Sequence, residues 1–428
     1  MLNYNKILYF FFRCAIQAVD AILRTLFKRR FTPLTEESLL GNFSDADRRL
    51  LFSDTTIGRW SYEGVLVLQR SFQNDKTASA FTRYLLGKLL EGSLRNRLAV
   101  LRRLTVVDLS TCPITKPIFI IGPSRSGTTF LQNLLFQDPQ NTSMKVYELR
   151  QPVSEITSVD KRIAAIKQEL DMAFDAYPMA KTIHYIRPEM PYECFYIFRN
   201  VGIFTVAPIL SSNPSDYYNW LRARTKAQMV EAYRFHKKQL QLILLARGTD
   251  FIEKRQHLFL KEAMHSAHLD AILEVYPDAR FIHTFRNPCA TVASLCSLKE
   301  WTLRMYGCKI DKSTLEKIGQ IFLRNPLFQS GNELVRFRKK HKEEESRFID
   351  INYEDLVASP IEAVRRIYGH FGMTLSDQAL EKMNAYQREN PQNKYGRHKY
   401  NLARYGLGEE EVLEYFKEYI DYFDASGW

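Results

Sequence analysis

Cysteine is scarce in this chain of 428 residues, and none of it occurs in the paired spacing typical of metal-binding motifs. The six cysteines are scattered along the chain: Cys14, Cys112, Cys194, Cys289, Cys296 and Cys308. Without a C-x-x-C pair or a dense cluster, they predict a reducing compartment rather than a disulfide framework. His265 and His268 indicate a helix start, because no third ligand stands near them in the sequence. We therefore predict no metal site.

The chain also lacks a long uninterrupted hydrophobic run. The most apolar stretch, Ile7 to Phe27, is interrupted by polar residues at helical spacing, namely Arg13, Gln17, Asp20 and Arg24, with Lys28 continuing the stripe. Such a stripe predicts an amphipathic helix over residues 1–30 that makes peripheral contact with a membrane interface from the cytoplasmic side. Docking on the protein's own core and a membrane-spanning signal anchor remain open as alternatives.

Nucleic-acid recognition motifs and low-complexity segments are missing as well. The formal net charge of +12 favours an anionic ligand or surface, but the basic residues are dispersed, so we expect no nucleic-acid partner. With 45% hydrophobic and 25% charged residues, the composition is that of a folded protein.

Apolar, β-branched segments alternate with helical ones in the second part of the chain. Strands are predicted at Pro117–Ile121, His257–Lys261, Arg280–Phe285 and Arg347–Asn352. This alternation predicts an α/β fold, with a parallel sheet flanked by helices over residues 116–428. Residues 31–115 read as a helical N-terminal extension. Residues from about 153 to 255 read as a helical insertion above the carboxyl ends of the strands, where substrate pockets form.

One loop carries most of the chemical information. Gly122-x-x-x-x-Gly127-Thr128-Thr129 has the spacing of a phosphate-binding P-loop between a strand and a helix, but Thr128 stands where the lysine belongs. The missing lysine argues against nucleoside triphosphate chemistry, whereas the loop amides and the helix N-terminus still suit an anion. Donors around that anion are expected from Arg125, Ser126, Gly127, Thr128 and Thr129.

The segment Pro123-Ser-Arg-Ser-Gly-Thr-Thr129 resembles the 5'-phosphosulfate loop of sulfotransferases that use 3'-phosphoadenosine-5'-phosphosulfate (PAPS). Its arginine is typical of tyrosylprotein sulfotransferases and of the large bacterial-type branch. Arg286, which ends a predicted strand, and Ser294, eight residues later, resemble the family's 3'-phosphate-binding pair, in which a guanidinium and a hydroxyl hold one phosphate.

Three further matches extend the resemblance along the chain. Lys261 resembles the strand-end lysine that contacts the transferred sulfonate, and Tyr353 resembles the family's tyrosine near the cofactor. Arg397 and Lys399 resemble its late basic loop over the 3'-phosphate. Glu262-Ala263 departs from the Ser-Pro often found there, which leaves the local loop shape open. The resemblance implies PAPS as co-substrate and transfer of a sulfonate group to a hydroxyl of an acceptor.

The catalytic base has two candidates on this interpretation. Glu148 follows the first strand–loop–helix unit, as a glutamate does in tyrosylprotein-type relatives. His184, with Glu193 in the same predicted insertion, is the second candidate, because cytosolic sulfotransferases use a histidine after the phosphosulfate loop. Aromatic residues crowd this insertion and favour a lipophilic acceptor: Tyr185, Tyr192, Phe195, Tyr196 and Phe198.

Two rival functions require other residues than this prediction does. A P-loop nucleotide kinase needs the loop lysine and a magnesium-holding aspartate at a strand end, and neither is evident. A catalytically inactive binding protein on the same fold predicts loss of the residues that bind the co-substrate. Retention of Arg125, Thr128, Thr129, Arg286 and Ser294 therefore predicts an active enzyme.

Overall fold

A computed structural model describes most of the chain: residues 4–52, 57, 59–75, 77–156, 158–206, 211, 214–248, 257–306, 308, 310–324, 330–391 and 401–424. The N-terminal part is helical, with α1 (Tyr4–Phe27), α2 (Glu36–Leu40), α3 (Asp45–Leu51), α4 (Trp60–Asn74) and α5 (Ala80–Leu104). Side-chain caps at Thr35, Ser44 and Ser79 begin α2, α3 and α5.

Five parallel strands form the sheet: β1 (Ile118–Ile121), β2 (Asn141–Thr142), β3 (His257–Lys261), β4 (Arg280–Phe285) and β5 (Phe348–Asn352). Their order is β2-β3-β1-β4-β5. Ile120 pairs with Lys261 on one side and with Ile282 on the other. This register brings the carboxyl ends of β1, β3 and β4 to one edge of the sheet, where ligands bind in open α/β folds.

The remaining helices flank or extend this sheet. Between β1 and β3 lie α6 (Thr128–Leu135), α7 (Val146–Arg150), α8 (Val159–Ala176), α9 (Met179–His184), α10 (Phe195–Phe198), α11 (Ser215–Arg222) and α12 (Lys226–Ala246). Between β3 and β5 lie α13 (Leu269–Val275), α14 (Pro288–Met305), α15 (Lys312–Arg324) and α16 (Ser330–Lys340). The chain ends with α17 (Tyr353–Ala358), α18 (Pro360–Phe371), α19 (Asp377–Glu389), α20 (Glu409–Tyr415) and α21 (Lys417–Asp424).

The α/β prediction is confirmed, with small local differences. The four predicted strands are present. β1, β3 and β4 are central and almost entirely buried, whereas β5 is an edge strand and only partly buried. The two-residue edge strand β2 was not predicted, since Asn141 and Thr142 carry no strand pattern. After β3, a 3-10 turn over Ala263–Ala267 precedes α13, which begins at Leu269. α18 begins at Pro360 without a side-chain hydrogen bond from Ser359.

The helical extension packs into the same core as the sheet. One cluster of buried apolar side chains runs from Leu34 through Phe119 and Phe281 to Phe423. A smaller cluster on the other face of the sheet joins Ile120 and Ile282 to the helices around it. Residues 31–115 thus share their core with the sheet.

The first helix has an unexpected orientation. The first part of its polar stripe faces the protein: Arg13 donates to the Tyr177 hydroxyl at 3.0 Å, and buried Asp20 accepts from the Phe31 backbone N–H at 2.9 Å, whereas Arg24 and Lys28 are exposed. The exposed residues are large and apolar: Ile7, Leu8, Phe10, Phe11, Phe12, Val19, Ile22, Leu26 and Phe27. Among the described helices, none has both the length and the apolar character needed to cross a bilayer.

Candidate active site

The loop after β1 contains backbone conformations that favour glycine. Gly122 has φ +127°, and a Cβ there would lie 2.2 Å from the Thr284 carbonyl oxygen of β4. Gly127, with φ +90°, precedes α6 and has no side chain to cap it, so the N–H groups of the first turn of α6 remain available to an anion. Arg125 adopts φ +76°, the left-handed region that non-glycine residues rarely occupy.

Two arginines meet at this loop. The Arg286 guanidinium lies 4.0 Å from the centre of the Tyr353 ring and donates to the Arg125 carbonyl at 3.1 Å. Arg125 in turn donates from Nε to the Ser294 hydroxyl at 3.1 Å. The structure therefore brings together four residues that the sequence placed on separate elements, and a planar guanidinium stacked on a ring is well oriented for a phosphate.

The neighbouring strand end supplies a buried lysine. Lys261, 2% exposed, donates to the Thr129 hydroxyl at 2.8 Å and forms an ion pair with the Glu193 carboxylate. Glu193 was noted in the sequence only as a companion of His184, and the structure instead places it on Lys261. The adjacent Glu262 is buried, and burial together with the nearby Glu193 charge raises the pKa of its carboxyl to about 8.

These groups open into one cavity of about 890 Å³. Its polar end includes Arg125, Thr128, Thr129, Glu193 and Lys261. Its apolar walls come from the extension, the insertion and α14, with Leu85, Leu89, Tyr192, Phe195, Tyr196, Leu295, Leu298 and Tyr306 among them. Arg199 stacks on Phe195 and Tyr196, at 4.6 Å from each ring centre. The cavity suits a molecule with one anionic end and one apolar end.

The side chains of two predicted site residues, Glu148 and Ser126, point away from this cavity. Glu148 is buried against Arg247, with 2.7 Å between Oε1 and Nε, and it also accepts from the Lys145 backbone N–H at 2.7 Å. This pair lines a different cavity, of about 770 Å³, so the structure turns Glu148 away from Lys261 and does not support its predicted role as the base. The Ser126 hydroxyl is likewise directed inward, since it donates to the Pro123 carbonyl at 2.7 Å and lies 2.6 Å from the Thr284 hydroxyl.

Some predicted residues fall outside the described part of the chain. Arg397 and Lys399 lie in the segment 392–400, which the structure does not describe. His184 ends α9, and its side chain is also outside the described residues. Of the predicted aromatic residues, Tyr192, Phe195 and Tyr196 line the large cavity, whereas Phe198 is fully buried in the core.

Comparison with known proteins agrees with this geometry. The sequence profile of the sulfotransferase family matches residues 117–377. The chain belongs to the sulfotransferase family. It is therefore an enzyme that transfers a sulfonate group, and the family match favours this function over a nucleotide kinase. The match begins one residue after the predicted boundary at 116.

Individual sulfotransferases extend the likeness. An omega-hydroxy-beta-dihydromenaquinone-9 sulfotransferase, Stf3, from Mycobacterium bovis is 26% identical over 294 residues, covering 63% of this chain and 69% of the relative. The solved sulfotransferase STF1 from Mycobacterium tuberculosis superposes with a TM-score of 0.73 at 26% identity, covering 90% of this chain and 99% of that one. STF9 from Mycobacterium avium, at 23% identity and a TM-score of 0.76 over 92% of this chain and 98% of its own, shares the fold.

Proposed function

We propose that this sulfotransferase uses PAPS as donor and sulfonates the hydroxyl of a lipophilic acceptor. The observation that carries the proposal is that Arg125, Thr129 and Lys261 line a cavity with partly apolar walls, while Arg286 and Ser294 hydrogen-bond to Arg125 beside it. Two guanidinium groups and a helix N-terminus suit the two phosphate positions of PAPS. Binding PAPS through these groups does not require the lysine that holds a nucleoside triphosphate in other P-loops.

The roles of individual residues follow from their positions. The acceptor oxygen forms a bond to sulfur while the bond from sulfur to the phosphate oxygen breaks, in line. Lys261 and the amides at the start of α6 neutralise the charge that develops on the departing phosphate. Tyr353 orients Arg286 by stacking. Arg397 and Lys399 remain predicted contacts to the 3'-phosphate.

We propose Glu193 as the base that removes the proton of the acceptor hydroxyl. It lines the cavity, and its side chain is 23% exposed while paired with Lys261, so it contacts both the charged end and the space for the acceptor. Base catalysis of this kind contributes about 10² to 10⁴ in rate. His184 remains the alternative, and His184→Ala tests it.

The acceptor is proposed to be a long-chain or prenyl alcohol. Support comes from the aromatic and aliphatic walls of the cavity and from the relative whose name specifies a hydroxylated menaquinone. Transfer of labelled sulfonate from PAPS to farnesol and geranylgeraniol in detergent micelles should exceed transfer to 4-nitrophenol. Preference for 4-nitrophenol contradicts a lipophilic acceptor.

The identity of the sulfonate donor is tested first by measuring which nucleotide binds to the protein. Thermal unfolding is followed with 3'-phosphoadenosine-5'-phosphate (PAP), with PAPS and with ATP plus magnesium. PAP and PAPS should stabilise the protein and ATP should not, because ligand binding to the folded state alone raises its stability. Arg286→Ala should lose the response, and Arg324→Ala, a surface arginine with a 66% exposed side chain, should keep it. A response to ATP equal to that of PAP contradicts the proposal.

The outward apolar face of α1 is proposed to rest on an anionic bilayer. Its nine exposed apolar side chains are followed by Lys28, Arg29 and Arg30, which match anionic headgroups. Contacts lead from this face to the cavity: Phe12 packs on Tyr84 at 5.7 Å, and Lys88, which lines the cavity, lies 6.0 Å from the Tyr84 ring. A lipid acceptor seated in the bilayer would thus lie beside the cavity.

Vesicle flotation tests this surface. The full chain should float with vesicles of 70% phosphatidylcholine and 30% phosphatidylglycerol. Phe11→Glu with Leu26→Glu should abolish flotation, because these are the two most exposed apolar residues of α1, at 74% and 68%. Val106→Glu, at a 72% exposed residue outside α1, is the matched control and should float like the unaltered chain. Equal flotation of all variants contradicts the proposal.

A further inference from the structure

Three side chains of the kind that binds transition metals meet in the core, below the active site. Cys194 lies directly before α10, His236 in the middle of α12 and His265 in the 3-10 turn after β3. Their ligand atoms all lie within 4.8 Å of one another, and the exposed fraction of each residue is 1% or less. Three segments distant in sequence therefore supply one ligand each.

The two imidazoles are held in matching ways. His236 Nδ1 lies 2.9 Å from the Tyr276 hydroxyl, and His265 Nδ1 lies 2.9 Å from the Tyr233 hydroxyl. The Nε2 atoms of both histidines are buried and have no hydrogen-bond partner among the described residues. If each Nδ1–H donates to its tyrosine oxygen, each Nε2 presents a lone pair. An outer hydrogen bond of this type is what orients metal-binding histidines.

The protein atoms alone leave this cluster incomplete. Buried polar atoms in folded proteins are nearly always paired, so two unpaired ring nitrogens in one small space need an explanation. A cation between the two nitrogens and the sulfur would satisfy all three groups.

We propose that Cys194, His236 and His265 bind a zinc-class transition-metal ion. One thiolate and two imidazoles are the ligands that zinc prefers, and the set contains none of the oxygen ligands that magnesium or calcium needs. Binding forms bonds from the ion to one sulfur and two nitrogens and releases the thiol proton of Cys194 to solvent. None of these three residues lines the cavity that contains Lys261 and Glu193, so we assign the ion a structural role.

The position of the site explains what such an ion would stabilise. The Cys194 backbone N–H donates to the Lys261 carbonyl at 2.9 Å, and Cys194 directly follows Glu193 in the chain. The Phe195 backbone N–H donates to the Glu262 carboxylate at 3.1 Å. An ion joining α10, α12 and the turn after β3 would therefore hold the two chain segments that carry the Lys261–Glu193 pair.

Metal content is measured directly on the purified full-length protein. Cells grown with added zinc should yield about one zinc ion per chain by plasma mass spectrometry, the stoichiometry of a single site. Cys194→Ser and His236→Gln should lose this zinc. Cys112→Ser, at another fully buried cysteine, is the matched control and should retain it. Copper measured in the same samples distinguishes the two metals that suit imidazole and thiolate.

Cobalt spectroscopy keeps the test independent of whether the variants fold. Co²⁺ added to chelator-treated unaltered protein should produce a thiolate-to-cobalt charge-transfer band and visible d–d bands, and added zinc should remove both. Absence of zinc and of these bands overturns the proposal, as does full zinc in a folded Cys194→Ser variant. Neither readout needs PAPS or an acceptor, so failure here is distinct from failure of the proposed sulfotransferase donor.

Discussion

Arg125 donates its Nε–H to the Ser294 hydroxyl at 3.1 Å, which joins the loop after β1 to α14. This bond links a residue of the predicted 5'-phosphosulfate loop to a residue of the predicted 3'-phosphate pair, although 169 positions separate them. The residues predicted to hold the two phosphates of the proposed donor are thus connected to each other. A preorganised pair of donors reduces the ordering cost of binding.

The first prediction concerns this link. Arg125→Ala should weaken PAP binding by roughly 10- to 100-fold, because it removes a charge-assisted contact worth about 1.5–3 kcal/mol. Ser294→Ala should weaken it less, by about 0.5–1.5 kcal/mol, since only a neutral hydroxyl is lost. Titration calorimetry with PAP measures both. An effect of Ser294→Ala larger than that of Arg125→Ala contradicts the assigned roles.

The second prediction concerns the glycine that starts the phosphate loop. Gly122→Ala should destabilise the protein by about 3 kcal/mol, because the new Cβ meets the Thr284 carbonyl oxygen and the backbone lies in the left-handed region. Gly92→Ala is the matched control. Its Cβ would meet nothing within 4 Å in α5, so a gain of about 0.5–1 kcal/mol is expected. Urea unfolding compares the two, and similar midpoints contradict the steric argument.

The third prediction separates two glutamates. Glu148→Gln should lower the free energy of unfolding by about 3 kcal/mol, because it leaves the half-buried Arg247 without its charge partner. Its affinity for PAP should not change. Glu193→Gln should keep PAP binding and lose about 10² to 10⁴ in the rate of sulfonate transfer.

The same pair of variants can contradict these assignments. PAP binding and single-turnover transfer from PAPS are measured on both proteins at a temperature where both remain folded. Normal transfer by Glu193→Gln, with loss of transfer by a folded Glu148→Gln protein, would restore Glu148 as the base.

The fourth prediction concerns pH. Burial lowers the pKa of the Lys299 ammonium to about 7, with Asp75 opposing the shift and the Ser211 carbonyl accepting from Nζ at 2.7 Å. Between pH 7 and the ordinary pKa near 10.5, the unfolded chain binds this proton and the folded protein does not. The contribution of Lys299 to stability therefore rises with pH across that window and is lowest below pH 7.

Comparison with Lys299→Met isolates this contribution. The stability of the unaltered protein relative to the variant should increase by up to about 1.4 kcal/mol per pH unit above pH 7. Urea unfolding at pH 6, 7, 8 and 9 measures the difference. Parallel curves over this range would show that Lys299 stays charged in the folded protein.

The sequence was sufficient to predict those elements whose structure depends on neighbouring residues in the chain. β3 and β4 were predicted with the bounds that the structure shows, because each is an apolar run long enough to be buried on both faces. The loop at Gly122–Thr129 was predicted because its glycines serve conformations that few other residues adopt. β2 was missed because its two polar residues are a strand only by pairing with β3.

The burial and the orientation of individual side chains, in contrast, depend on how segments distant in sequence pack together. Glu148 and Glu193 look alike in the sequence, but Arg247 neutralises one in a separate cavity and Lys261 holds the other at the active site. The polar stripe of α1 is evident from its spacing, but only packing decided that Arg13 and Asp20 contact the protein while Arg24 stays exposed.

The amino-acid sequence by itself determined four of the five described strands, the glycine-rich loop between a strand and a helix, and the family, because these reside in short patterns of residues. Only the tertiary structure decided that Glu193 rather than Glu148 pairs with Lys261, and that Cys194, His236 and His265 lie close together in the core. The physical reason is that a side chain's partners are set by the segments that burial brings against it, and a one-dimensional pattern does not contain that contact.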